Sequence, residues 1–124
     1  TGESVPTIKE NIIEFGRNFA KKYKVILVLK GPHTITFQQD GTAAVNATGN
    51  PGLATGGTGD ILTGIIAALS AQGIEPFNAA VAGVSLHGAA ADEGVKDLGF
   101  RGLIASDLLN YIPKVLKQYD ELLH

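Results

Sequence analysis

Cysteine is absent from the chain, which removes disulfides, thiolate nucleophiles and cysteine-ligated zinc together. The absence agrees with a reducing compartment, and a cytoplasmic protein is expected. No apolar run approaches the roughly 20 residues of a membrane-spanning helix, and Thr1-Gly2-Glu3-Ser4 has none of the basic, apolar or cleavage regions of a signal peptide. No membrane partner is therefore expected. An excess of one charge is lacking too: 10 basic against 12 acidic residues leave a net charge of -2, nothing that would draw nucleic acid or an anionic surface. The rest is an ordinary globular composition, 44% hydrophobic and 18% charged, in 124 residues that hold one domain at most.

Glycine, by contrast, is abundant, and five of the 16 glycines fall in Gly49-Asn50-Pro51-Gly52-Leu53-Ala54-Thr55-Gly56-Gly57-Thr58-Gly59-Asp60, directly before an apolar helical run. Glycine reaches positive φ and lets a ligand approach the main chain, while the N–H groups of a helix start point outward at the positive end of the dipole. A tight loop alone would explain the pattern equally well. Two familiar phosphate loops are excluded: no Lys follows the last glycine, and Gly57-Thr58-Gly59 runs into Asp60-Ile61-Leu62. A carboxylate at a helix start suits the dipole. Beside an anion hole it also repels the ligand, a cost that makes sense where Asp60 must take a proton.

Along the chain, Pro6 after Ser4, then Ile8, Ile12, Phe15, Phe19 and Tyr23, predict an amphipathic helix from about Pro6 to Tyr23. Val25 to Leu29 reads as a strand buried on both faces of a parallel sheet, with Lys30 at its carboxyl end, the ligand edge of open α/β sheets. Thr34–Gln38 and Thr42–Asn46 read as a hairpin joined through Asp40-Gly41. A helix over Ile61–Ala71, apolar on most sides and stopped near Gly73, is expected to be buried. An Ala- and Gly-rich helix over about Pro76–Val95 is expected to pack closely on a neighbour. After the Gly99–Gly102 turn, Ser106 or Asp107 caps a last helix that Pro113 kinks or restarts. One parallel strand and a hairpin do not complete a parallel sheet, so further strands are expected elsewhere.

The segments Val28-Leu29-Lys30-Gly31-Pro32-His33-Thr34 and Asn46-Ala47-Thr48-Gly49-Asn50-Pro51-Gly52-Leu53-Ala54-Thr55-Gly56-Gly57-Thr58-Gly59-Asp60 resemble the ADP/ATP-dependent NAD(P)H-hydrate dehydratases. The closing Gly-Asp is common to many ribokinase-like kinases, whereas the long run joined to Lys-Gly-x-x-Thr is far more specific. The resemblance implies an α/β fold, a ribokinase-like αβα sandwich of which residues 1–124 form only the C-terminal portion, without the upstream Pro-His-x-x-Glu segment and first strands. It implies ADP or ATP with Mg2+, NAD(P)H hydrate as substrate, the missing N-terminal half as partner, and a homo-oligomer. The expected reaction is phosphorylation of the hydroxyl on the hydrated ring, then loss of phosphate to restore the double bond.

On that resemblance Asp60 is the catalytic base and a substrate contact, and the N–H groups of Gly57, Thr58 and Gly59 form the anion hole. Lys30, Gly31, Pro32, His33 and Thr34 hold the AMP part of the nucleotide, with His33 an exposed turn residue whose backbone matters more than its ring. Asn46, Thr48, Gly49 and Asn50 face substrate or phosphate, with the alternative that Asn46, Thr48 and Asn50 form turns through their own side chains. No metal-ligand motif is present. His87 is expected to be packed or at the surface, and Asp92-Glu93 and Asp120-Glu121 to be solvated helix faces. A small-molecule kinase on the same fold and a non-catalytic nucleotide-binding fragment are the alternatives.

Overall fold

The computed structural model describes residues 5–54 and 56–123; residues 1–4, Thr55 and His124 lie outside the described residues, as do the side chains of residues 5–10, 54, 119 and 121–123, and with them the roles expected of Ser4, Ile8 and Glu121. Helix α1, Val5–Tyr23, matches its expected span. Lys24, at φ 52°, ends it, and the Val25 N–H bonds back to the Ala20 carbonyl at 3.2 Å. The surprise is which face α1 buries. Ala20 is fully buried and Gly16 lies against the Phe37 ring, while Ile12, Phe15, Phe19 and Tyr23 are exposed. The small-residue face lets the helix lie flat on the sheet, and the aromatic stripe points away from it.

The sheet has three antiparallel strands in the order β1 (Leu27–Leu29), β2 (Ile35–Phe37) and β3 (Ala43–Val45). Leu27 pairs with Phe37 and Leu29 with Ile35; Ile35 also pairs with Val45. The expected hairpin is present, and the Asn46 N–H to Thr34 carbonyl bond at 2.9 Å extends it. Its turn closes through Gly41 at φ 94°, and an Asp40 carboxylate oxygen accepts the Thr42 N–H at 2.8 Å. β1 corrects the expectation of a strand buried on both faces. It is half-buried, and among the described residues it pairs only with β2, antiparallel, leaving its second edge unpaired.

A short helical turn, Pro51–Ala54, precedes α2, Thr58–Ala71. Gly73, at φ 91°, stops α2, with the Ile74 N–H returning to the Leu69 carbonyl at 3.3 Å. Burial of α2 was expected on most sides, yet only Thr58 and Leu62 are buried. One side of α2 packs on the next helix, and the other side faces outward over β1. Helix α3, Pro76–Gly102, is capped by the Glu75 carboxylate, which accepts the Phe77 and Asn78 N–H groups at 3.2 Å. It outruns its expected end at Val95 and breaks at Gly99, φ 72°, where a turn was expected. Before α4, Leu108–Leu123, the Asp107 carboxylate accepts the Ile104 N–H at 2.9 Å, and α4 carries Pro113 in its interior instead of restarting there.

The main core lies between α3 and α4: Leu86, Ala90, Ala91, Leu103, Leu108, Tyr111 and Val115. Small residues bring the helices together as the composition suggested. A Cβ on Gly83 would lie 2.7 Å from Ile66 Cγ1, and one on Gly94 would lie 2.7 Å from Leu103 Cδ1. No helix of the described residues is long and apolar enough to cross a membrane.

Candidate functional site

β1 and β3 flank β2 and end at the same edge of the sheet, opposite Ile35, and the segments that leave them, Lys30–Thr34 and Asn46–Leu53, both line one cavity. The second segment is folded by its own polar side chains. The Asn46 amide donates to the Thr48 carbonyl at 3.0 Å. The Thr48 hydroxyl donates toward the Ser85 carbonyl at 2.9 Å, with Asn46 Oδ1 a second acceptor at 3.1 Å. Asn50 Oδ1 accepts the Gly52 N–H at 2.8 Å. These side chains thus bond within the turn and to α3, and Asn46, Thr48, Gly49 and Asn50 also line a cavity.

α3 holds both ends of this loop. Gly88 lies against Thr48 and Gly49 so closely that a Cβ there would stand 2.7 Å from the Thr48 carbonyl carbon. Asp92 accepts the Gly49 N–H at 3.1 Å and the Asn50 amide at 2.9 Å, which corrects its expected role as a solvated helix face. Glu93, by contrast, pairs with exposed Lys96 at 2.9 Å. At the other end, the buried His87 ring contacts the Thr58 carbonyl through Nε2 at 2.9 Å. A carbonyl only accepts, so Nε2 carries the proton. His87 titrates below its ordinary value because burial penalises the cation; the Thr58 carbonyl opposes this, and the Lys30 charge adds to it.

Gly57, at φ 91°, turns the chain into α2. The first N–H groups of a helix have no intrahelical partner, and among the described residues Ile61, bonding to the Gly57 carbonyl at 3.4 Å, is the first in α2 to find one. Over this helix start stands Lys30, whose ammonium occupies the space a side chain on Gly59 would need.

Two cavities share Lys30 in their linings. One, of about 710 Å³, is lined by Lys30 to Thr34, Asn46, Thr48, Gly49, Asn50, Thr58 and His87, among others. The other, of about 650 Å³, opens between β1 and α2 and is lined by Lys30, Gly59, Asp60 and Thr63 over an apolar floor that includes Val28 and Ile66. Asn46, Thr48, Gly49 and Asn50 thus line one cavity together with Lys30–Thr34, and Asp60 lines the other. His33 is exposed, as expected. Sequence reasoning missed Ser85, Gly88 and Asp92. Their signal was the spacing of three and then four residues, which puts all of them on one helix face.

The family model described as NAD(P)H-hydrate dehydratase matches residues 2–114. A bifunctional NAD(P)H-hydrate repair enzyme, Nnr, of Moorella thermoacetica is 44% identical over 97% of this chain and 23% of its own length. An ADP-dependent (S)-NAD(P)H-hydrate dehydratase of Bacillus subtilis is 34% identical over 97% of this chain and 44% of its own. Among solved structures, the ADP/ATP-dependent NAD(P)H-hydrate dehydratase of B. subtilis, co-crystallized with ATP/Mg2+, superposes with a TM-score of 0.85 at 34% identity. The superposition covers 96% of this chain and 43% of that one. The chain thus spans between about a quarter and less than half of these relatives.

Proposed function

We propose, for a chain that belongs to the NAD(P)H-hydrate dehydratase family, that it is the C-terminal portion of a ribokinase-like domain that uses ADP or ATP to dehydrate (6S)-NAD(P)H hydrate. The observation that carries this reading is that the two cavities share Lys30, whose ammonium stands against Gly59 at the start of α2, while Asp60 in the same helix turn lines the second cavity.

The nucleotide takes the cavity lined by Lys30 to Thr34, with the turn of Asn46, Thr48, Gly49 and Asn50 as its opposite wall. Its terminal phosphate reaches the N–H groups of Gly57, Thr58 and Gly59, where the helix dipole and Lys30 offset its charge. The ring hydroxyl approaches from the Asp60 side. Asp60 accepts the hydroxyl proton as its oxygen forms a bond to the terminal phosphorus, and the bridging P–O bond breaks to release AMP from ADP, or ADP from ATP. The new phosphate ester then loses phosphate with the C–O electron pair, and a proton leaves the neighbouring ring carbon, restoring the double bond.

Among the described residues no three His, Cys, Asp or Glu side chains gather to hold a metal ion. Mg2+ fits instead as an ion that would be carried on the nucleotide's phosphates, which needs one or two protein carboxylates at most; Asp60, kept for the proton of the ring hydroxyl, lines the cavity between β1 and α2. Bound on those phosphates, Mg2+ would supply charge neutralisation on the leaving group.

The test is Asp60→Asn in the full-length protein. Turnover of NAD(P)H hydrate should fall by about 10²-fold or more while nucleotide affinity in calorimetry changes little. Wild-type enzyme should release inorganic phosphate with each nucleotide consumed. A retained phosphorylated product would favour the small-molecule kinase, and near wild-type turnover of Asp60→Asn would remove the base.

A further inference from the structure

The Asp92 carboxylate lies on α3, half-buried and outside both cavity linings, and both its oxygens are engaged by one turn of the loop. Oδ2 accepts the Gly49 N–H at 3.1 Å, and Oδ1 accepts the Asn50 amide at 2.9 Å. The far end of the same Asn50 amide accepts the Gly52 N–H at 2.8 Å, and the Asn50 carbonyl accepts the Leu53 N–H at 3.1 Å. A single carboxylate thus heads a chain of bonds from α3 through Asn50 into the Pro51–Ala54 turn.

Two donors converge on position 92, and this pattern demands a group that only accepts. A carboxylate offers lone pairs to both; an amide in its place would turn its own NH2 toward one of the donors. A solvated helix aspartate meets no such demand. The backbone geometry matches: Gly49 sits at φ 104°, a conformation that favours glycine, with its N–H on Asp92. Gly88, without a side chain, lets α3 approach closely enough for the contact.

We propose that Asp92 is a positioning residue that holds Gly49 and Asn50 as a wall of the nucleotide's cavity, and so sets affinity for ADP or ATP without entering the phosphoryl transfer. The proposal rests on the nucleotide reading of that cavity given above. With Asp92 removed, the Gly49 N–H and the Asn50 amide lose their acceptor, and the wall relaxes away from the ligand. Asp60 and the Gly59 backbone, on the far side of Lys30, keep their places.

In the full-length protein, calorimetry with ADP and with ATP should show Asp92→Ala weakening binding by about tenfold. Asp92→Asn, which keeps one of the two bonds, should weaken it less. The KM for NAD(P)H hydrate and kcat at saturating nucleotide should stay within about twofold, a split that a general loss of structure does not produce. Asn50→Ala should add little in the Asp92→Ala background, since both substitutions break one chain of contacts. Unchanged nucleotide affinity in a folded Asp92→Ala protein overturns the role, and so does a parallel loss in kcat and both KM values. If Asp92→Ala does not fold, Asp92→Asn decides by the same measurements. A wild-type protein that binds neither ADP nor ATP overturns the nucleotide reading itself, and this inference with it.

Discussion

Asp60 and Asp92 both stand on helices, yet their surroundings are opposite. Asp60 is exposed in the first turn of α2, at an open cavity, while Asp92 has both oxygens occupied by the loop. His87 is a third case, a buried neutral ring whose proton sits on Nε2. Its pKa in the folded chain is lowered from 6.5, foremost by burial, so the folded state binds a proton less readily than the unfolded state. The contribution of His87 is therefore complete above the unfolded pKa and is lost as pH falls through the lowered folded one. Urea unfolding of the full-length protein at about pH 7.5 and about pH 5.5 should show wild type losing more stability than His87→Gln between the two. Equal losses would mean that this ring does not titrate with folding.

α3 is the element on which the site is assembled. Ser85, Gly88 and Asp92 meet the Asn46–Asn50 turn, and His87 meets the start of α2. Gly88 is the tightest of these contacts. Replacing a helix glycine by alanine ordinarily gains about 1 kcal/mol of propensity. Here the new Cβ would lie 2.7 Å from the Thr48 carbonyl carbon and 2.8 Å from the Gly49 nitrogen, backbone atoms that cannot rotate aside. Overpacking of about 1–3 kcal/mol should win. Thermal melting of Gly88→Ala should show a lower Tm, together with weaker nucleotide binding as the wall shifts. A rise in Tm would mean that the helix and loop separate at little cost.

At the scale of the whole molecule, the described residues leave apolar surface uncovered in several places. Phe15 is 60% exposed and Tyr23 55% exposed, stacked along α1 with Phe19 between them. The outer side of α2 and the free edge of β1 add to this surface. Such surfaces bind partners or aggregate, and the relatives are two to four times as long as the segment matched in them. Thr1 to His124 expressed alone should therefore aggregate or self-associate in light scattering, and the full-length protein should be well behaved. A monodisperse monomer of the short segment that melts cooperatively would show that these surfaces need no cover.

Elements governed by local chemistry were legible in the sequence. The span of α1, the Asp40-Gly41 turn, the stop at Gly73 and the Pro76 start of α3 each follow from a few adjacent residues. The glycine-rich run before Asp60 likewise announced a loop entering a helix start, because backbone freedom and helix-end N–H groups are local properties. What each face covers was not legible. The stripe from Ile12 to Tyr23 has the period of a buried face, but periodicity does not say whether a partner is present, and the Gly16–Ala20 face is the one that meets Phe37. The same holds for α2 and β1, whose apolar residues only permit burial. Asp92 shows the limit most clearly: its two donors, Gly49 and Asn50, lie more than forty residues away in sequence. Only the packing of α3 against the loop, permitted by Gly88, turned a charged residue on a helix into the anchor of a cavity wall.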